Sequence, residues 1–99
     1  MSINVLLHIN ALHATDSARV QFFEALKENL WIRMHAIYTT WCCRYSRDVL
    51  DVPSQVMTEV KVLAAESGVE SFHAVAQCGN YQPFWFEYKA EDQPEATAL

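Results

Sequence analysis

The chain has 99 residues, about half of them apolar, with only two glycines and three prolines, which suits one compact domain with an adequate core and leaves no room for a second. No run approaches the roughly 20 apolar residues of a bilayer span, and the opening MSINVLLHINALH lacks a basic flank and is interrupted by Asn and His, so neither a membrane span nor a signal peptide is expected. The net charge of -5 disfavours loose attraction to nucleic acid, though a local basic patch on an acidic background remains compatible with it.

In chain order, Ile3, Val5, Leu7, Ile9 and Ala11 alternate with the positions between them, the period of a strand with its odd side toward a core. ATDSARVQFFEALKEN follows with Thr15 or Asp16 as N-cap and Val20, Phe23, Leu26 and Leu30 on one helical stripe. The next stretch, LWIRMHAIYTTWCCRYS at 30–46, admits two readings. Leu30, Met34, Ile37, Trp41 and Tyr45 would share one face of a helix; yet the wealth of Trp, Ile, Tyr, Thr and Cys favours a pleated surface. The apolar phase also flips in mid-run, from even positions at 30–36 to odd positions at 37–45, which favours a hairpin turning near 37–39.

VPSQVMTEVKVLAAESG starts with Pro53 in a first turn, lines up Val56, Met57, Val60, Leu63 and Ala64, and stops at Gly68, which predicts a second helix. Phe72, Ala74, Ala76 and Cys78 then alternate, Gly79 and Asn80 supply a turn, and Phe84, Phe86 and Tyr88 alternate in a last strand. Residues 1–89 thus read as the domain and 90–99 as an acidic, disordered tail.

The order strand, helix, strand, strand, helix, strand plus a C-terminal strand predicts an α+β ferredoxin-like sandwich, with two helices on one face of an antiparallel sheet. Its other face is left uncovered. The expected binding residues there are Asn10, Trp31, Arg33, His35, Arg44 and His73, a ring and guanidinium planes for stacking on bases and cations for phosphate. Open sheet faces also form dimer interfaces, and the aromatic run Phe84, Trp85, Phe86 suits pairing along a sheet edge.

Chemistry is sparsely signalled. No metal-ligand spacing occurs among the Cys and His residues, so no metal site is expected. Without a glycine-rich phosphate loop, no nucleotide cofactor is expected, nor any other cofactor. Three cysteines, with Cys42 and Cys43 adjacent, make a poor disulfide framework and read as reduced packing groups. If the protein is an enzyme, His8 and His35 are candidates for acid-base work and Arg33 for stabilising phosphate.

The organisation of nearly the whole chain (NVLLHINA, SARVQFFEALKEN, a hairpin ending TTWCCRYS, PSQVMTEVKVLAA, SFHAVAQC and an aromatic final segment) resembles the small ferredoxin-like proteins related to the CRISPR adaptation nuclease and the type V antitoxin endoribonuclease. The resemblance implies a homodimer and RNA binding or cleavage. Where the CRISPR-associated branch usually holds a divalent ion with an Asp, this chain has Asn10 or Ala11, which argues against metal-dependent cleavage. Two functions are therefore expected. The first is a cytoplasmic binding or regulatory module contacting a protein or single-stranded RNA through its sheet face, a phage-type inhibitor of host defence being one instance. The alternative is a metal-independent endoribonuclease or antitoxin.

Overall fold

The computed structural model describes residues 2–11, 14–34, 39–46 and 50–90. Their elements are β1 (Ser2–Asn10), α1 (Asp16–Glu28), β2 (Ile32–Arg33), β3 (Thr40–Ser46), α2 (Val52–Glu66), β4 (Ser71–Cys78) and β5 (Phe84–Lys89). The strands form one open antiparallel sheet in the order β2-β3-β1-β4-β5. His35, residues 37 and 38 of the expected turn, and the tail from residue 91 onward lie outside the described residues.

Each helix is bounded by the chemistry of its ends. Thr15 caps α1 by accepting the Ala18 N–H at 3.1 Å. Asp51 caps α2, accepting the Ser54 N–H at 3.2 Å and the Ser54 hydroxyl at 2.8 Å, with Pro53 in the first turn where its missing N–H costs nothing. Beyond α2, Gly68 takes φ +82 and lets the Val69 N–H return to the Ala64 carbonyl at 3.0 Å. Beyond α1 the same left-handed position is filled by Leu30, at φ 72, while the Trp31 N–H closes on the Leu26 carbonyl at 2.9 Å.

Both helices pack on the sheet face that carries Val5, Leu7 and Ile9 of β1, Trp41 of β3, Phe72, Ala74 and Ala76 of β4, and Phe86 and Tyr88 of β5. Rings dominate this core: Phe72 stacks on Phe22 and Tyr88 and meets Phe86 edge-on. The stripe of α1 differs from the expected one. Ala18, Phe22 and Leu26 are buried, Phe23 is partly buried, and Val20 and Leu30 are exposed. Phe22 and Phe23 compete for the inward position, and the one that reaches Phe72 takes it.

The segment 30–46 forms strands, with β2 and β3 antiparallel, so the helix reading does not hold for its described residues. The expected flip of facing, however, does not occur across the hairpin. Ile32 lies opposite Cys42 and Arg33 opposite Trp41, so odd residues face odd residues and no flip is needed across the hairpin. Trp31 and Arg33 consequently belong to the helix-covered side, while Ile32 and Met34 are exposed. No helix among the described residues is long and apolar enough to cross a membrane.

Candidate functional site

The pairing registers determine which residues share the uncovered face, because directly opposed residues project to the same side. Across the sheet, one row runs Ile32, Cys42, Leu6, Gln77 and the next Thr40, His8, Val75, Trp85; a third holds Asn10, His73 and Glu87, and Asn4 with Arg44 lies at the opposite end. Its large apolar side chains are unusually open to solvent: Leu6 is 47% exposed, Val75 46%, Ile32 65% and Trp85 70%. Trp85 follows from the alternation of β5, since Phe86 and Tyr88 turn inward and are buried.

Of the sequence-predicted candidates, His8, Asn10 and His73 come together. They line a shallow depression of about 330 Å³ with Ala74, Val75 and Trp85. The Nδ1 of His8 lies 3.3 Å from the Thr40 hydroxyl and 3.2 Å from that of Thr39, and the Nδ1 of His73 lies 3.5 Å from Glu87 Oε2. Arg44 shares the face but stands beside Asn4, about 13 Å along the sheet from His8 at strand spacing.

Trp31 and Arg33 are corrections to the expected binding face. Trp31 is buried, its indole N–H donating to Glu59 of α2 at 2.7 Å, and the Arg33 guanidinium lies 5.7 Å from the Phe23 ring centroid and 5.8 Å from that of Trp41. Both are tied to the core for a physical reason: burying an indole with its N–H satisfied gains more than burying Ile32, and an arginine can lie flat on rings without losing its charge. Phe86, expected at an edge interface, is also buried, and Phe84 is half-buried against the core. Trp85 alone of that aromatic run is solvent-facing.

Glu59 of α2 belongs to no motif that would mark it in the sequence, yet it holds two elements together. The same Oε1 accepts both the Trp31 indole N–H and the Tyr45 hydroxyl, at 2.7 and 2.9 Å. Burial, then the hydrogen bond to Glu59, pushes the Tyr45 phenol well above its ordinary range. The thiols of Cys43 and Cys78 are likewise pushed up, burial being the main cause, which disfavours the thiolate a nucleophile requires. Among the described residues no three His, Cys, Asp or Glu side chains converge as metal ligands.

A hollow of about 470 Å³ sits at one end of the sheet between Ser2, Ile3, Asn4, Cys78, Gly79, Asn80 and Tyr81. It contains no acid-base pair. The arrangement that can do something chemically is therefore the open face: an apolar and aromatic centre, two histidines at one end, and, among the described residues, permanent charges only at Arg44, Glu87 and Lys89 around its margin. No protein-family model, curated protein or solved structure matches the chain.

Proposed function

We propose that this chain is a ferredoxin-like binding or regulatory module that docks a protein partner through its open sheet face. The observation that supports this reading is the band formed by Ile32, Leu6, Val75 and Trp85, one residue from each of four strands, all substantially exposed. Isolated exposed apolar residues are ordinary, but a band that reaches across a sheet face, with Cys42 between Ile32 and Leu6, and that no element of the described residues covers has the composition of an interface centre. An intracellular inhibitor that occludes a surface of a host defence protein is one instance of this class, because occlusion needs shape and apolar contact but no catalytic constellation. A photo-crosslinking residue placed at position 85 or 6 is expected to capture protein in the producing cell, and one at Val20 on α1 is not. Equal capture from both faces, or capture of RNA alone, would contradict the reading.

One observation favours the alternative, a metal-independent endoribonuclease. His8 and His73 line one depression beside Trp85, and with both Nδ1 atoms engaged, Nε2 is the nitrogen each would offer to a substrate. Two imidazoles could divide the acid and base roles in transfer of a phosphodiester to the adjacent 2′-hydroxyl, with the exposed ring stacking a base. Loss of Trp31 and Arg33 from the face weakens that reading relative to docking. Labelled single-stranded RNA incubated in EDTA decides between them: cleavage abolished by His8→Ala and by His73→Ala favours the enzyme, and neither cleavage nor retardation removes RNA from consideration.

A further inference from the structure

We infer that His8 and His73 form a site for a divalent transition-metal ion, held by their Nε2 atoms from two neighbouring strands. The site stands on these two side chains and holds whether or not a protein docks on the band beside it. Register, tautomer and donor chemistry lead to it.

Register brings the ligands together. Between β1 and β4, His8 lies opposite Val75 and Asn10 opposite His73, so the two histidines are diagonal neighbours on one face of the sheet. Diagonal neighbours stand about 7 Å apart, which lets two imidazoles reach one ion about 2 Å from each ring nitrogen. Both line the same depression, and both residues are exposed, so an ion can enter without opening the fold. No spacing along the chain marks this pair, because the pairing of two strands joins it.

Tautomer leaves the right nitrogen. The Nδ1 of His73 lies 3.5 Å from Glu87 Oε2, and a carboxylate only accepts, so the ring proton belongs on Nδ1 and the lone pair on Nε2. The Nδ1 of His8 lies 3.2 and 3.3 Å from the hydroxyls of Thr39 and Thr40, either of which can accept its proton. An imidazole held at one nitrogen by such a partner, with the other left for coordination, is the arrangement of a metal ligand and its outer contact.

Donor chemistry selects the ion. Two ring nitrogens suit zinc, copper or nickel, whereas magnesium and calcium take oxygen ligands. Glu87 is the only carboxylate on this face among the described residues, and it is engaged by the far nitrogen of His73. The ion is therefore of another class from the one a carboxylate holds in the CRISPR-associated branch, and it needs no ligand from Asn10. Two protein ligands leave the other positions of a tetrahedral ion to water, so the ion exchanges with solution and holds no part of the fold together. It also takes the two lone pairs that acid-base work on RNA would need, so zinc would inhibit any such activity.

Histidine ring-proton NMR during titration with zinc chloride tests the inference, with His13 and His35 as the other two histidines of the chain for comparison. The His8 and His73 signals should move together and saturate with a single midpoint, while magnesium chloride at the same concentration moves neither. His8→Ala should weaken zinc binding read at His73 by about tenfold or more, and His73→Ala should do the same at His8, because a lone imidazole has lost its second donor. Both positions are exposed, so the circular dichroism of each variant should match that of the wild type. No movement of either signal up to about 1 mM zinc, the weak end of specific association, overturns the inference. So do His8 and His73 signals that titrate with separate midpoints or respond equally to magnesium, and so does a His73 response that survives His8→Ala undiminished.

Discussion

Trp31 and Glu59 are joined across the two layers of the molecule, the indole N–H of the last residue before β2 donating to a carboxylate oxygen of α2 at 2.7 Å. Tyr45 of β3 donates to the same oxygen at 2.9 Å, so one carboxylate ties both strands of the hairpin to the second helix. Replacing Glu59 with Ala strands two donors, one of them on a buried indole, and should lower stability by about 2–3 kcal/mol in urea unfolding. Glu59→Gln, which keeps an acceptor, should cost about 1 kcal/mol.

Arg33 belongs to the same side of the sheet. With its guanidinium over the rings of Phe23 and Trp41, Arg33→Ala should reduce stability by about 1–2 kcal/mol in urea unfolding and leave capture by a crosslinker at position 85 unchanged. A loss of capture without a loss of stability would return Arg33 to the open face.

Leu30 holds a left-handed conformation with its side chain 78% exposed, so it contributes little burial in exchange for the strain. Leu30→Gly should therefore stabilise the fold by about 0.5–1 kcal/mol, seen as a rise of a few degrees in Tm.

Tyr45 makes stability fall at alkaline pH. Its folded phenol titrates above its ordinary value of 10, so the unfolded chain releases the proton first. The stabilisation is complete below pH 10 and is lost as pH rises from there toward the folded value; the raised Cys43 and Cys78 thiols act with the same sign from about their ordinary value of 9.0. Urea midpoints should therefore drop between pH 8 and 11 by less in Tyr45→Phe than in the wild type, and tyrosinate absorbance from Tyr45 should appear only with unfolding.

The legible parts of this fold are those with a period long enough to read. The nine residues of β1 and the eight of β4 alternate through several repeats, and their buried positions are the apolar ones the alternation marks. The ends of α2 are equally plain, with Pro53 in the first turn and Gly68 past the last each doing what its backbone dictates, while the cap supplied by Asp51 emerges only in the structure. A two-residue strand has no period, and β2 takes its facing from its pairing with β3 and from a carboxylate 28 residues away in sequence. The expected face was therefore mixed: His8, Asn10, Arg44 and His73 stand on it, Trp31 and Arg33 do not, and Ile32 joins it. The outward facing of Trp85 was readable from the inward alternation of its neighbours.

The central claim is that the uncovered sheet face is the surface this protein uses. The most direct measurement is paramagnetic broadening of the three tryptophan indole N–H signals by a soluble gadolinium chelate, in the purified protein alone and with extract of the producing cell. Trp85 should broaden strongly in the protein alone and be protected by the extract, with Trp31 and Trp41 unaffected throughout. Broadening of Trp31 as strong as that of Trp85, or a Trp85 signal equally accessible with and without the extract, would contradict it.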